Sequence, residues 1–519
     1  MRAANVAARL AERAARHPDR TAITEYRHGR RRSITFGELA LRVAALGAGF
    51  RAAGVVPGDR VLVFVPMSID LYAVLLGCLH AGATAVFVDA WADRRRLDHA
   101  VHTARPRVFV GTPKAHLLRL ISPAVRRIPV LWIAGARCLR VSRYERPADA
   151  PAETADPDAH ALITFTTGST GTPKVAARSH AFLWAQHQAL AAHLRLTEAD
   201  VDMPTLPVFV LNNLALGVAS VLPEFDPGRP GEADPARIFP QMLAEGVTTS
   251  SGSPAFYARL LAGGQALPLR AVWTGGAPVY SPFAAQLARG VQGEAHVVYG
   301  STEAEPIAGI EARDMLAAMR EDSGGGICVG PPVPGIRLRL IRPHDAPVKL
   351  AGGGWASWEV EPGETGEVVV TGAHVLGRYL DQPEEDRRHK IRDGSTIWHR
   401  TGDAARLDEQ GRLWLMGRTS ERVQRGGEVW WSTPAETRAL SLDGVSHAAF
   451  LGMPHPELGQ RAVLCLECAG PITAEVVRDA LQPTPVDEVV VFRHIPRDPR
   501  HASKTDTAAL RQLLSRRTN

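Results

Sequence analysis

The chain of 519 residues is poor in cysteine and has no long uninterrupted apolar segment. Its five cysteines are scattered and odd in number, which is typical of a protein from a reducing compartment. The most apolar stretch, residues 61–90, is interrupted by Pro66, Asp70 and His80. It therefore predicts strand, helix and strand rather than a membrane span. The N-terminus mixes arginines with alanines and predicts an amphipathic helix without an export signal. We expect a cytoplasmic protein.

Strong charge patterning is also absent. The chain has 60 Lys and Arg against 54 Asp and Glu, a formal net charge of +6, with no basic run. Aromatic and basic residues do not interleave, so a nucleic-acid partner is not expected. Cys465 and Cys468 form a lone CxxC in a strand-like run without a second Cys or His pair. Core cysteines are the favoured interpretation, and a metal site is the alternative.

The order of apolar runs predicts the fold class. Short runs such as 61–65 and 108–110 alternate with helical stretches, which indicates α/β architecture with largely parallel sheets. From Gly363 the runs shorten and predict a smaller β-rich section. The glycine-rich and charged segment 417–427 then marks a boundary before a compact α+β module. A chain of this length is also expected to form two or more domains.

What the sequence does contain is a run of hydroxyls and glycines that ends in a lysine. Residues 166–174 read Thr-Thr-Gly-Ser-Thr-Gly-Thr-Pro-Lys. The glycines let the backbone approach a ligand, the hydroxyls can donate to phosphoryl oxygens, and Lys174 adds a positive charge. The segment therefore predicts a phosphate-binding loop. Its candidate ATP-binding residues are Thr166, Thr167, Gly168, Ser169, Thr170 and Gly171.

The loop has two alternative interpretations. A Walker-type loop requires Gly-Lys followed by Ser or Thr, and Pro173 and Val175 break that pattern. A flexible Gly/Ser linker is the second alternative. A predicted strand at 161–165 and a predicted helix at 179–193 flank the loop, so a ligand loop is favoured.

Together with other strings, this loop makes the chain resemble the adenylate-forming superfamily of acyl-CoA synthetases, peptide-synthetase adenylation domains and firefly luciferase. The resemblance covers essentially the whole chain. It implies a large N-terminal domain of stacked αβαβα sheets with a small β-barrel-like section, followed by a small, mobile α+β C-terminal domain. The implied boundaries are residues 1–416 for the large domain, 417–420 for a hinge and 421–519 for the C-terminal domain.

The resemblance also implies an ATP site. Residues 275–279, Gly-Gly-Ala-Pro-Val, resemble the turn that lies against adenine, and residues 299–304, Tyr-Gly-Ser-Thr-Glu-Ala, resemble the segment whose aromatic ring stacks on that base. Asp403 in Arg-Thr-Gly-Asp resembles the ribose clamp. For 299–304 taken alone, an ordinary turn with a capping Ser or Thr is the alternative. The implied ATP-binding residues are Gly276, Ala277, Pro278, Tyr299, Gly300, Ser301, Asp403 and Arg418.

Four residues are implied to be catalytic, namely Lys174, Thr302, Glu303 and Lys504. Glu303, with Thr166, would hold Mg²⁺, because an α-phosphate attacked by a carboxylate needs its charge neutralised and a hard carboxylate suits magnesium. Thr302 would add a hydroxyl contact to the phosphate. Lys504 ends a string at 496–504 that resembles the C-terminal pattern whose lysine reaches the reacting carboxylate. A solvated basic tail is the alternative for that string.

Three positions depart from the superfamily pattern. Ser420 and Gln424 stand where most relatives carry Asp and Lys, which puts domain rotation between two half-reactions in question. Val210 stands where many relatives place a His that borders the acid pocket. The residues expected around that pocket are Trp184, Val210, Asn213, Ser253 and Thr274.

Within the superfamily, strings at 223–230, 246–255 and 498–504 resemble OleC-type β-lactone synthetases of olefin and β-lactone biosynthesis. The resemblance implies that ATP activates a small carboxylic acid as an acyl-adenylate with release of pyrophosphate. A β-hydroxyl of the same acid would then close a β-lactone and release AMP. Fatty-acid CoA ligases are similar, so coenzyme A is the alternative acceptor. A catalytically silent nucleotide-binding regulator is the non-enzyme alternative. No stable membrane insertion is expected, and the oligomeric state is left open.

Overall fold

A computed structural model describes residues 5–88, 94–134, 152, 155–166, 173–322, 324–350, 353–497 and 504–517. The strands are β1 (Thr21–Arg27), β2 (Arg30–Thr35), β3 (Arg60–Phe64), β4 (Thr84–Phe87), β5 (Val108–Gly111), β6 (Val130–Ile133), β7 (His160–Thr166), β8 (Lys174–Ser179), β9 (Val201–Pro204), β10 (Ala219–Leu222), β11 (Thr249–Gly252), β12 (Ala271–Gly275), β13 (Glu294–Ser301), β14 (Ala304–Glu311), β15 (Ile327–Gly330), β16 (Arg337–Ile341), β17 (Gly366–Thr371), β18 (Lys390–Asp393), β19 (Thr396–Leu407), β20 (Leu413–Arg418), β21 (Val423–Arg425), β22 (Glu428–Trp430), β23 (Val445–His455), β24 (Gly459–Cys468) and β25 (Glu488–Phe492).

The α-helices alternate with the strands over the first three hundred residues. They are α1 (Ala7–Arg16), α2 (Phe36–Ala52), α3 (Ile69–His80), α4 (Arg94–Ala104), α5 (Leu118–Ile121), α6 (Pro123–Arg126), α7 (His180–Leu194), α8 (Pro207–Leu216), α9 (Pro235–Ala244), α10 (Pro254–Leu261), α11 (Ser281–Gly290), α12 (Ala312–Glu321), α13 (Pro383–His389), α14 (Ser432–Ala439), α15 (Ala474–Leu481) and α16 (Thr507–Arg517). This alternation is the α/β pattern that the apolar runs predict.

Two mainly parallel sheets form the large N-terminal part. One has eight strands in the order β14-β13-β12-β11-β9-β10-β1-β2, and the other has six in the order β6-β5-β3-β4-β7-β8. Every residue of α3 is buried between the two sheets, as its apolar sequence on all sides requires. Other helices cover the outer faces, with α4 and α6 against one sheet and α9 to α12 against the other. The expected αβαβα layering is confirmed.

The strand directions indicate at which end of the two sheets a ligand would bind. Ligands of parallel α/β sheets bind beyond the carboxyl ends of the strands. β7 ends at Thr166 in one sheet, while β12 ends at Gly275 and β13 at Ser301 in the other. The phosphate loop, the expected adenine turn and residues 299–304 therefore all leave their sheets at carboxyl ends.

The β-rich section that follows is an open antiparallel sheet rather than a closed barrel. Its order is β15-β20-β19-β17-β16, with β18 paired to β19. β19 is twelve residues long and carries Asp403. The expected barrel-like section is corrected accordingly, because β15 and β16 lie at opposite edges and do not pair.

A separate sheet forms the core of the C-terminal part, with the order β22-β21-β24-β23 and with β25 parallel to β24. α14 and α15 pack on one face, and α16 on the other. Cys465 is fully buried in this sheet and Cys468 is half-buried, and both are free thiols. Core cysteines are thus the correct interpretation of the CxxC.

Most sequence-predicted elements near the site are present. The predicted strand at 161–165 is β7, the predicted helix at 179–193 is α7, and the predicted N-terminal helix is α1. β8 was missed, so the phosphate loop joins two antiparallel strands rather than a strand and a helix. Across the residues that the structure describes, no helix has both the length and the apolar character needed to cross a membrane.

Candidate active site

The phosphate loop closes the hairpin of β7 and β8, in which Thr166 pairs with Lys174. Residues 167–172 lie outside the described residues, so the expected roles of Thr167, Gly168, Ser169, Thr170 and Gly171 stay predictions, as does that of the Thr166 side chain. Lys174 is half-buried at the exit of the loop. Burial lowers the pKa of its ammonium, and the charge of Glu303 partly opposes that shift. Lys174 and Glu303 are therefore close enough to interact electrostatically.

The expected adenine turn is built mainly from backbone. Gly275 has no room for a side chain, because an added Cβ would lie 2.4 Å from the Val298 carbonyl oxygen of the neighbouring strand. Gly276 follows with φ +85°, a conformation that glycine adopts without strain. Pro278 is exposed and Ala277 half-buried. The turn therefore presents its backbone at the sheet edge, where a flat base can lie against it.

Tyr299 and Asp403 link this turn to the β-rich section. The buried Tyr299 donates its hydroxyl to Asp403 Oδ2 at 2.8 Å, and Arg418 donates to Asp403 Oδ1 at 2.5 Å. An ionised carboxylate has about four acceptor positions, so each oxygen can still accept a ribose hydroxyl. The structure thus brings together three residues that the sequence assigned to the ATP site, and it leaves ribose binding possible.

Glu303 is nearly buried, at 8% exposure, and accepts a hydrogen bond at Oε1 from the Tyr379 hydroxyl at 2.8 Å. Burial raises the pKa of its carboxyl. The Tyr379 bond and the charges of Lys390 and Lys174 outweigh that effect and hold the pKa below its ordinary value. Glu303 is therefore held as an anion at this point of the site.

This environment fits Mg²⁺ shared with a nucleotide. Among the described residues, no group of three or more His, Cys, Asp or Glu side chains is placed to hold a metal. Mg²⁺ is commonly bound by one or two carboxylates together with substrate phosphates and water, rather than by an all-protein cage. Glu303 would supply one such carboxylate, and when bound the ion would neutralise phosphate charge.

Residues 300–302, which precede Glu303 at the turn between β13 and β14, have contacts of their own. Arg178 donates to the Thr302 carbonyl at 2.9 Å and to the Thr164 hydroxyl at 3.2 Å. Ser301 Oγ is buried and has no hydrogen-bond partner in the described chain. An added Cβ at Gly300 would lie 3.0 Å from the Ala304 carbonyl oxygen, so the hairpin turns tightly here. The predicted roles of Thr302 and Ser301 toward phosphate stay predictions.

The expected acid-pocket residues fall into two groups. Ser253 directly follows β11, and Thr274 is the penultimate residue of the neighbouring β12. Both hydroxyls are buried without a hydrogen-bond partner in the described part of the chain. Val210 is fully buried in the apolar layer between the sheets. Asn213 donates to Asp202 at 2.8 Å. Ser253 and Thr274 therefore have hydrogen-bonding capacity to offer a ligand at the strand ends, whereas Val210 packs in the core and Asn213 is buried with only its Oδ1 lacking a partner in the described residues.

Lys504 and the hinge belong to the C-terminal part. Lys504 is exposed and directly precedes Thr505, which pairs with Arg497 shortly before α16 begins. The expected hinge at 417–420 begins inside β20, which runs to Arg418, and Ser420 lies in the single 3₁₀ turn that follows. A catalytic role of Lys504 and rotation at this hinge stay predictions.

Comparison with protein families decides the class. The family model described as AMP-binding enzyme matches residues 10–380 of the chain. The chain belongs to this family. It is an adenylate-forming ligase that uses ATP and acts on a small carboxylic acid.

Several characterised proteins are similar over most of their length. An olefin beta-lactone synthetase of Stenotrophomonas maltophilia (strain K279a) is 33% identical over 90% of this chain and 88% of its own. One from Xanthomonas campestris pv. campestris is 34% identical over 84% and 80%. A feruloyl-CoA synthase of Amycolatopsis sp. is 30% identical over 86% and 85%.

Solved structures agree on the fold. ATP-bound MatB from Rhodopseudomonas palustris superposes with a TM-score of 0.83 at 22% identity, covering 100% of both chains. The amide bond synthetase McbA from Marinactinospora thermotolerans gives a TM-score of 0.81 at 23% identity, covering 99% of both. These likenesses show the adenylate-forming fold.

Sequence reasoning missed three residues that contact the site. Tyr379 donates a hydrogen bond to Glu303, and Arg178 donates one to the carbonyl of Thr302. Lys390 lies over the Tyr379 ring with its Nζ 4.8 Å from the ring centroid. Lys390 stands in the run Arg-Arg-His-Lys, which is typical of a solvated surface. Only the strand pattern of Lys390–Asp393, with an apolar Ile391 next to it, offered a signal that this lysine is buried.

Proposed function

We propose that this ligase activates a β-hydroxy acid as its acyl-adenylate and then closes the acid to a β-lactone. The similarity to two olefin beta-lactone synthetases over 84–90% of the chain is the observation that carries the proposal.

In the first step, a carboxylate oxygen of the acid attacks the α-phosphorus of ATP, and pyrophosphate leaves. Lys174 and the phosphate loop bind the β and γ phosphates, Asp403 binds the ribose, and Glu303 would hold Mg²⁺, which would supply charge neutralisation. Lys504 neutralises the charge that develops between the carboxylate and the phosphorus. The protein contributes mainly positioning and electrostatic stabilisation to such a step.

In the second step, the β-hydroxyl oxygen of the same acid attacks the activated carbonyl carbon. The bond from that carbon to the phosphate oxygen breaks, AMP leaves, and the hydroxyl proton is released. This closure needs no second substrate. A reduced need for domain rotation agrees with Ser420 and Gln424 at positions where most relatives carry Asp and Lys.

The strand ends support a hydroxylated acid. Gly252 pairs with Thr274 across β11 and β12, so Ser253 and Thr274 lie at adjacent carboxyl ends, next to the expected adenine turn. Their buried hydroxyls have no partner in the described residues. A buried polar group without a partner is costly, and a substrate hydroxyl placed there would satisfy it.

A product assay tests this proposal. The enzyme is incubated with ATP, Mg²⁺ and a β-hydroxy acid, with and without coenzyme A, and product masses are recorded. The proposal predicts a product of the mass of the acid minus water that forms without coenzyme A. Strict dependence on coenzyme A would contradict it.

Transfer to coenzyme A is the second candidate, favoured by the feruloyl-CoA synthase of Amycolatopsis sp. at 30% identity and by a sulfoacetate–CoA ligase at 27%. A thioester as the sole product in the same assay would establish it.

A further inference from the structure

One short segment contacts both Glu303 and the exit of the phosphate loop. This bridging segment, residues 374–382, leads from the end of β17 toward α13. The Leu376 N–H donates to the Glu303 carbonyl at 2.7 Å, and the Tyr379 hydroxyl donates to the Glu303 carboxylate. The bridging segment thus holds both the backbone and the side chain of Glu303.

The same segment also fixes the exit of the phosphate loop. Gln382 donates to the Pro173 carbonyl at 2.9 Å and accepts from the Val175 N–H at 2.7 Å. The Leu380 N–H donates to the Val175 carbonyl at 2.9 Å. The bridging segment therefore links Glu303 to the exit of the phosphate loop at Pro173 and Val175.

Lys390 contacts two residues of the bridging segment. Its Nζ donates to the Leu376 carbonyl and lies 4.8 Å from the centre of the Tyr379 ring. These are the two residues of the bridging segment that bond Glu303. Lys174 Nζ also lies 5.6 Å from the centre of the same ring.

Burial of the Lys390 side chain is energetically unfavourable. Lys390 is 8% exposed, and burial lowers its pKa to about 7. The charged groups that act on it are Glu303, Asp386 and Lys174, while His399 lies 3.2 Å from its Nζ. Burial of a cation costs free energy that packing alone does not return, and a methionine would fill a similar volume without that cost. Glu303 and Asp386 oppose this pKa shift, so Lys390 is electrostatically linked to the carboxylate that its contacts with Leu376 and Tyr379 support.

We propose that Lys390 and Tyr379 form a positioning pair that fixes one orientation of Glu303 toward the metal–nucleotide complex. Lys390 sets the place of Leu376 and of the Tyr379 ring, and Tyr379 occupies one carboxylate oxygen so that the other faces the ligand. Neither residue is assigned contact with ATP. This inference rests on the proposed contact between Glu303 and Mg²⁺, and it is independent of lactone closure.

Calorimetric titration of ATP without any acid tests the pair. The ratio of the ATP dissociation constants in EDTA and in Mg²⁺ defines the magnesium-dependent gain. Removing a partner of a metal ligand commonly costs ten to a hundredfold in metal affinity. Tyr379→Phe and Lys390→Met are each expected to reduce the gain roughly tenfold and to leave the affinity in EDTA nearly unchanged. The double variant is expected to lose little more than either single variant.

Ile391→Val serves as the matched control, because Ile391 neighbours Lys390 on β18 but packs with Trp398 and Val369. It should keep the full gain. Equal losses in EDTA and Mg²⁺, additive losses in the double variant, or an unchanged gain in Tyr379→Phe would each overturn the positioning pair. A wild-type enzyme without any magnesium-dependent gain would instead refute the contact between Glu303 and Mg²⁺ on which the pair depends.

Discussion

Tyr299 donates its hydroxyl to Asp403 Oδ2 at 2.8 Å, although the two residues are 104 positions apart. Tyr299 lies near the carboxyl end of β13 in the eight-stranded sheet, and Asp403 lies on β19 in the antiparallel sheet. The bond therefore joins the expected adenine platform to the expected ribose clamp across two sheets.

Removing this hydroxyl is predicted to weaken ATP binding. In Tyr299→Phe the ring remains, but Asp403 loses a donor and becomes freer to move. A net cost of about 1 kcal/mol, or roughly fivefold in the dissociation constant, is expected by calorimetry.

Tyr257→Phe is the control for this substitution. Tyr257 also donates from a buried hydroxyl, to Ser250 at 2.9 Å, but it lies in the core cluster behind the sheet. It should lower stability without changing the affinity for ATP. Equal effects of both variants on ATP binding would contradict the assigned role of Tyr299.

The role of Lys504 is tested by separating binding from chemistry. Lys504→Ala is predicted to lower acid-dependent pyrophosphate release about a hundredfold or more, because a charge aimed at the transition state is lost. The ATP dissociation constant should change little.

Arg516→Ala removes an exposed cation of α16 in the same part of the chain and is predicted to retain the wild-type rate. If both variants lose the same small fraction of activity, the basic C-terminal string is a solvated surface and Lys504 has no catalytic role.

The unpartnered hydroxyls of Ser253 and Thr274 predict a selective effect on substrates. Ser253→Ala and Thr274→Val should lower kcat/KM for a β-hydroxy acid by about 1 kcal/mol, or roughly fivefold, relative to the same acid without the hydroxyl. The melting temperature should not fall, because neither hydroxyl has a partner to lose in the described structure. A loss of equal size for both acids would show that these side chains do not contact the hydroxyl.

Glu436 predicts a pH-dependent stability. It accepts hydrogen bonds from Tyr280 and from the Phe450 N–H, and burial raises its pKa to about 7. Between its ordinary value and about 7, the folded chain binds a proton that the unfolded chain has lost, so this contribution to stability falls as the pH rises.

Urea unfolding of wild type and Glu436→Gln at pH 5, 6, 7 and 8 measures that contribution. The stability of wild type relative to the variant should decrease by up to about 1.4 kcal/mol per pH unit between pH 5 and 7 and level off above. A difference that does not vary with pH would mean that Glu436 titrates as an exposed carboxyl.

The local parts of the site were predictable from sequence. Thr166 and Lys174 are close in the chain, so the side chains of a phosphate loop are visible as one string. The apolar runs of β3 and β5 likewise encode buried parallel strands by composition alone. β8 was harder to predict, because Lys-Val-Ala-Ala-Arg-Ser has neither strict alternation nor a continuous apolar run.

Long-range pairings were not predictable in the same way. Glu303 and Tyr379 are 76 positions apart, and nothing in either local sequence specifies the other. Lys390 follows two arginines and a histidine, a pattern typical of exposed residues, yet it is buried because β18 adds to the edge of β19 and turns this side chain inward. Such contacts depend on how separate sheets are arranged, which periodicity within one element does not report.

Isotope transfer from the acid tests the central claim most directly. A β-hydroxy acid with both carboxylate oxygens replaced by ¹⁸O is incubated with ATP, Mg²⁺ and the enzyme, and AMP and the organic product are analysed by mass. Adenylation followed by attack of the unlabelled hydroxyl predicts one ¹⁸O in AMP and one in a product of the mass of the acid minus water. AMP without ¹⁸O, or a lactone that retains both labels, would contradict the account.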